Sequence, residues 1–290
     1  MSVYKMAGLR RPREWKEDMV GTHSVHSMIK YLLLFGFFPM ALLTAAFKLL
    51  PMFVLYTFGC LTLAMMMIRN NNERQQTSEV FVAIPLEKAA DKAQYKLRLE
   101  LLKGMSGDVL DLSPASGLSL FRYYIAPKNK ISSVLTFEEN KKLHPLINKR
   151  AKHLSDLFDL KVSLGSCSSV DEILPNLRKE GRKFDCVVLN HFLGRAADMD
   201  AAIQQLKDVL KPEGTVVFIE QSAMPETIFK STLDVLNAVY RTLTGGFCVN
   251  RNIPTGLSKG GFKVEHSDLG VLPLPGTSLS VGYASPSKNI

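Results

Sequence analysis

Over the last two thirds of the chain, short apolar runs alternate with stretches whose apolar positions recur every three or four residues. That alternation predicts strands and helices in turn, and hence a parallel sheet covered by helices. Gly107-Asp108-Val109-Leu110-Asp111-Leu112-Ser113-Pro114-Ala115-Ser116-Gly117 opens the series. Its apolar run reads as a first strand, and its small residues read as a tight turn whose backbone can pass close to a ligand. Ile131 to Phe137, Leu160 to Leu164, Phe184 to Asn190 and Thr215 to Glu220 predict four more strands. The Phe184 run is almost continuously apolar, as in a strand buried on both faces.

Between these strands, Leu118, Leu120, Phe121 and Tyr124 predict a first helix ending near Pro127, and a basic helix follows from about Asn140 to Leu154. Met199, Ala202, Ile203, Leu206, Val209 and Leu210 line one helical face, closed by Leu210-Lys211-Pro212-Glu213-Gly214. An apolar-faced helix is expected from Pro225 to Leu243. Phe262 to Asp268 and Ser278 to Tyr283 then predict two strands with no helix between them, antiparallel if they pair. Upstream, Leu86 to Leu102 carries leucines at helical spacing and reads as a helix leading into the domain.

The first third has another pattern. Tyr31 to Phe47 holds no charged residue, Lys48 interrupts, and Leu49 to Ile68 is again uncharged and apolar. At about 1.5 Å per residue the second run spans roughly 30 Å, the thickness of a bilayer core. It predicts a membrane anchor, either one span or a helical hairpin bent at Lys48 and Pro51. Arg10, Arg11, Arg13, Lys16 and Lys30 precede the segment and Arg69 and Arg74 follow it, the charge distribution of a hairpin with both ends cytosolic. The expected organisation is a basic segment over 1–29, the anchor over 30–69, a polar linker over 70–84, and one α/β domain over 85–290.

A hydrophobic content of 46% in 290 residues excludes a disordered chain. The net charge of +9 is dispersed and lacks an aromatic-interleaved basic stripe, so it favours anionic lipid headgroups over nucleic acid as a neighbour. Cys60, Cys167, Cys186 and Cys248 lie far apart, with no C-x-x-C pair and no histidine at metal spacing. Neither a disulfide framework nor a metal site is expected.

In open α/β sheets the ligand crevice lies beyond the carboxyl ends of the strands. Glu138, just past the second strand, is the candidate acid for a ribose, with Thr136 the competing position. Asn190 and His191 close the fourth strand, and Glu220 the fifth. Gly165-Ser166-Cys167-Ser168-Ser169 places polar side chains after the third strand, where Ser169 is also suited to cap a helix.

The order of elements resembles a class I S-adenosylmethionine-dependent methyltransferase, a Rossmann-like α/β fold with a closing antiparallel strand. Asp111 to Gly117 stands at that family's glycine-rich first motif, Phe184 to Leu189 looks like its fourth strand, and Val209-Leu210-Lys211-Pro212-Glu213-Gly214 is similar to its V-L-x-P-G-G turn. The apolar anchor, Glu220, and Gly246-Phe247-Cys248-Val249-Asn250-Arg251 resemble more narrowly the membrane-bound methyltransferase-like 7 group of thiol methyltransferases. The resemblance implies S-adenosyl-L-methionine as cofactor. It places Asp111, Ser113, Ala115 and Gly117 at the methionyl side, Glu138 at the ribose, Ser166 or Cys167 by the adenine, and Asn190 and His191 beside the sulfonium. Ser113 and Ala115 replace two of the family's glycines.

For a thiol acceptor, His191 is the candidate base and Arg251 the candidate positive charge. The expected activity is methyl transfer to a small lipophilic acceptor at the endoplasmic reticulum or a lipid droplet, with the domain facing cytosol; a mitochondrial membrane is the alternative. The altered first motif raises a second expectation, a catalytically inactive scaffold or subunit of a membrane complex.

Overall fold

The computed structural model describes residues 95–118, 123–126, 128–224, 246–269 and 277–287, together with positions 233, 234, 237 and 241. The two apolar runs, the linker and the predicted anchor lie outside the described residues. Within them, residues 95–101 are helical and bury Leu97 and Leu101, followed by Leu102. Then come β1 (Ser106–Leu112), β2 (Lys130–Phe137), α1 (His144–Phe158), β3 (Lys161–Gly165), α2 (Val170–Lys179), β4 (Phe184–Asn190), α3 (Met199–Val209), β5 (Leu210–Ala223), α4 (Ile253–Lys259), β6 (Phe262–Leu269) and β7 (Thr277–Pro286).

The strands form one sheet in the order β3-β2-β1-β4-β5-β7-β6. The first five are mutually parallel, and β7 runs antiparallel between β5 and β6. Side chains alternate faces along each strand. Leu110, Leu112, Val187, Leu189, Val216 and Phe218 pack on one side with α2, α3 and α4. Val109, Cys186, Val188, Val217 and Ile219 pack on the other with Leu97, Leu101 and α1. This Rossmann-like α/β sheet with its antiparallel pair is the expected fold class.

Three features differ most from expectation. Residues 123–125 form turns where the first helix was expected to continue, because Tyr123 O accepts from Ala126 N and from Asn129 Nδ2. The body of that expected helix, 119–122, lies outside the described residues, as does most of 225–243. Strand β5 begins at Leu210 rather than Thr215. Leu210 pairs with Phe184 and Thr215 with Cys186, so the Lys211-Pro212-Glu213-Gly214 stretch is accommodated as a register shift within the strand. Finally, α4 was not anticipated. Asn252 caps it by accepting from Thr255 N at 2.9 Å, and proline occupies its first turn.

At the amino-terminal ends of the strands a charged clasp joins four of them. Lys211 Nζ donates to Asp185 Oδ2 at 2.7 Å and to Asp108 Oδ2 at 3.4 Å, Asp108 N donates to Asp185 Oδ2, and Ser133 Oγ donates to Asp108 Oδ1. Gly107 makes room for it. Its φ is +75°, and a Cβ there would stand 2.1 Å from the Asp185 carboxylate.

Candidate functional site

At the opposite ends of the same strands the backbone after β1 turns sharply. Ser113, Ala115 and Gly117 have φ of 61°, 54° and 77°. The left-handed conformation costs a non-glycine residue roughly 1–2 kcal/mol, so at Ser113 and Ala115 the surroundings must hold it. They do so through the backbone: Ser113 N donates to Phe137 O at 3.0 Å, Ala115 N to Glu138 Oε2 at 3.0 Å, and Gly117 N to Pro114 O at 2.9 Å. Arg150 of α1 adds a clamp, donating to the carbonyl and hydroxyl of Ser116. The chain therefore follows a glycine-type path while carrying two Cβ atoms.

Asp111 is fully buried beneath this turn and accepts from Tyr124 Oη at 2.6 Å. Burial first, and then the Asp111 charge, push the Tyr124 pKa well up, so the phenol stays protonated as the donor. Glu138 lies just past β2 and is buried; besides Ala115 N it accepts from Asn140 N at 3.0 Å. Its competitor Thr136 is fully buried inside β2. Ser166 is exposed, whereas Cys167 is buried. Burial, then the charges of Glu138, Glu139 and Glu172, push the Cys167 thiol up to about 11 and keep it neutral. Ser169 caps α2 by accepting from Asp171 N.

Asn190 ends β4 and joins it to the turn, its Nδ2 donating to Ser113 O at 3.1 Å. Its Oδ1 is buried and has no hydrogen-bond partner among the described residues. His191 follows with φ of 58°, its ring edge-on to Phe247 at 5.7 Å. Burial, then the charges of Arg98 and Arg195, push the His191 imidazole down to about 3. It is neutral at pH 7 and a weak base.

The loop beyond His191 is gripped from two sides. Glu220 of β5 accepts from the backbone N–H groups of Phe192, Leu193 and Gly194 at 2.7, 3.0 and 3.4 Å. Arg251 donates to the carbonyls of Leu193, Ala196 and Ala197 at 2.6, 2.6 and 3.1 Å, and to that of Gly194 at 3.5 Å. Burial pushes the Glu220 carboxyl up to about 7 against the opposing effect of the three N–H groups. The structure thus brings Ser113, Ala115, Glu138 and Asn190 into one bonded group. It engages Arg251 with loop carbonyls, and the guanidinium groups acting on His191 are those of Arg98 and Arg195. Sequence reasoning had named neither. Arg195 lies only four residues past His191, which was the available signal; Arg98 carried none.

The model of a methyltransferase-domain family matches residues 86–249, more than half of the chain. The chain belongs to this family. Among solved structures, the methyltransferase domain is similar to an O-methyltransferase family protein from Burkholderia thailandensis, with a TM-score of 0.52 and 15% identity over 77% of this chain and 63% of that one. The match therefore spans less than two thirds of the Burkholderia protein, and at that identity it speaks to the fold. A putative methyltransferase from Haloferax volcanii, solved with the Trm112 activator, gives 0.49 and 17% over 72% of this chain and 97% of that one. Comparison with curated proteins gives no match.

Membership implies S-adenosylmethionine as the cofactor. The methyltransferase domain fits it on two counts: the three alternate left-handed positions of the turn, and the unpartnered Asn190 Oδ1 beside them, an acceptor awaiting a donor.

Proposed function

We propose that the protein is a membrane-anchored S-adenosylmethionine-dependent methyltransferase acting on a small lipophilic acceptor, with thiols such as those used by the methyltransferase-like 7 group as the first candidates. The observation that carries this reading is the left-handed path kept at Ser113, Ala115 and Gly117 beneath the Asn190 amide oxygen. When bound, the cofactor supplies an electrophilic methyl group on a sulfonium. The chain's own residues hold and orient it: the turn at its methionyl side, Glu138 at its ribose, and Asn190 as acceptor. A ribose diol would share the Glu138 carboxylate with Ala115 N and Asn140 N, which couples ligand binding to the turn.

His191, neutral and weakly basic, serves as a wall of the site rather than as a proton acceptor. With so weak a base beside it, the site favours acidic thiols, which ionise in solution before they bind. The apolar runs at 31–47 and 49–68 would hold the protein at an endoplasmic reticulum or lipid-droplet surface, or at a mitochondrial membrane, where a lipophilic acceptor concentrates. The second reading, a scaffold without catalysis that serves a membrane complex, is favoured by the Cβ atoms of Ser113 and Ala115 and by the internal bonds of Glu138. The test is methyl transfer from labelled S-adenosylmethionine to thiophenol by the full-length protein in lipid. Formation of methyl phenyl sulfide supports the enzyme, and cofactor binding without turnover across acidic thiols supports the scaffold.

A further inference from the structure

Two arginines approach the loop 191–197, and they behave differently. Arg251 donates to four of its carbonyls. Arg195, within the loop, does not hold the fold in this way. Its side chain is 19% exposed, yet the two carboxylates near it leave its donors unengaged: Glu138 Oε1 stands at 3.9 Å, beyond hydrogen-bond reach, and Glu220 interacts with it through charge alone. A guanidinium carries five N–H donors in a planar fork that matches a carboxylate.

The charge around it points the same way. Arg98 and Arg195 both act on the His191 ring, so two guanidinium charges converge on that side of the loop. Glu138 and Glu220 offset part of the charge without engaging the donors. The loop is held in place by Glu220 on its N–H side and Arg251 on its carbonyl side, so Arg195 is presented from a fixed backbone.

We propose that Arg195 recognises a carboxylate on the ligand bound beside His191. This rests on the methyltransferase reading for the identity of the ligand, and the carboxylate belongs either to the amino-acid end of the methyl donor or to the methyl acceptor. Calorimetric titration of full-length wild type, Arg195→Gln and Arg195→Lys separates the sources. S-Adenosylhomocysteine is compared with 5′-methylthioadenosine, which lacks the amino-acid carboxylate. With S-adenosylhomocysteine present, 2-mercaptobenzoate is compared with thiophenol.

The Gln variant should lose about tenfold or more in affinity for one carboxylate ligand, and less than about twofold for its carboxylate-free counterpart, with partial recovery in the Lys variant. Loss on S-adenosylhomocysteine assigns the donor, and loss on 2-mercaptobenzoate assigns the acceptor. Wild-type affinity of the Gln variant for both carboxylates overturns the proposal. A wild type that binds neither nucleoside removes the methyltransferase reading instead. Arg195 is then judged on 2-mercaptobenzoate alone, where equal affinity in wild type and variant, or no binding to either, overturns it. Matching unfolding midpoints exclude a folding defect, and the Lys variant carries the test if the Gln variant does not fold.

Discussion

The two ends of the central strands solve opposite problems. At the amino-terminal end, Asp108, Asp185, Lys211 and Ser133 bond to one another near solvent. At the carboxyl end, buried polar groups bond to loop backbone: Glu220 to three N–H groups, Glu138 to two, Arg251 to four carbonyls. There the Asn190 Oδ1 and the Arg195 guanidinium remain without a hydrogen-bond partner among the described residues. One end closes on itself, and at the other an acceptor and a set of donors stay unengaged among the described residues.

Removing a polar group should therefore cost far more at the carboxyl end. Glu220→Ala leaves three buried N–H groups without an acceptor and should destabilise by about 3 kcal/mol or more in urea unfolding. Lys211→Ala, which breaks the exposed pairs, should cost less than about 1 kcal/mol. Equal losses would erase the contrast. Gly107→Ala lies between them, at about 2 kcal/mol, through its left-handed φ and its contact with Asp185, and it should leave ligand affinity unchanged.

The pH dependence separates the ends as well. Glu220, raised to about 7 from 4.5, contributes stability that is full below pH 4.5 and lost as pH rises through about 7. His191, lowered to about 3 from 6.5, contributes stability present above pH 6.5 and lost as pH falls through about 3. Between pH 4.5 and 6.5 the two slopes oppose. His191→Asn should expose the Glu220 slope, with stability falling as pH rises, and Glu220→Gln should expose the reverse. At the other end, burial raises Asp185, but hydrogen bonds from Lys211 and Asp108 N outweigh it and hold the carboxyl below its ordinary 3.8. Its stability is lost only in stronger acid. Unfolding midpoints from pH 2 to 8 check all three.

The smallest effect concerns the turn. Glycine at Ser113 or Ala115 relieves roughly 1–2 kcal/mol of left-handed strain and loses roughly 0.5–1 kcal/mol to unfolded-state freedom. A net gain of about 0.5 kcal/mol per site is expected in urea unfolding, with tighter binding of the nucleoside. A loss would show that the Cβ atoms pack productively.

The sheet was legible because a parallel strand buried on both faces is a nearly unbroken apolar run, as in Phe184 to Asn190. Leu210 to Gly214 misled because Pro212 and Gly214 look like a turn, whereas a register shift keeps them in β5. The short helix α4 carries Pro254 and Gly256, which hide it, and only the Asn252 cap announced it. Strand ends pointed to Glu138 and Asn190, and the structure bonds both to the turn after β1. The role of Arg251 was not legible, because its partners are backbone carbonyls more than fifty residues away, which leave no mark in side-chain pattern.

The most direct test of the carboxyl-end crevice is calorimetric titration of the full-length protein with S-adenosylhomocysteine. One site per chain is predicted, weakened about tenfold by Asn190→Leu, which removes the waiting acceptor. No heat at millimolar ligand, or binding untouched by that substitution, would contradict it.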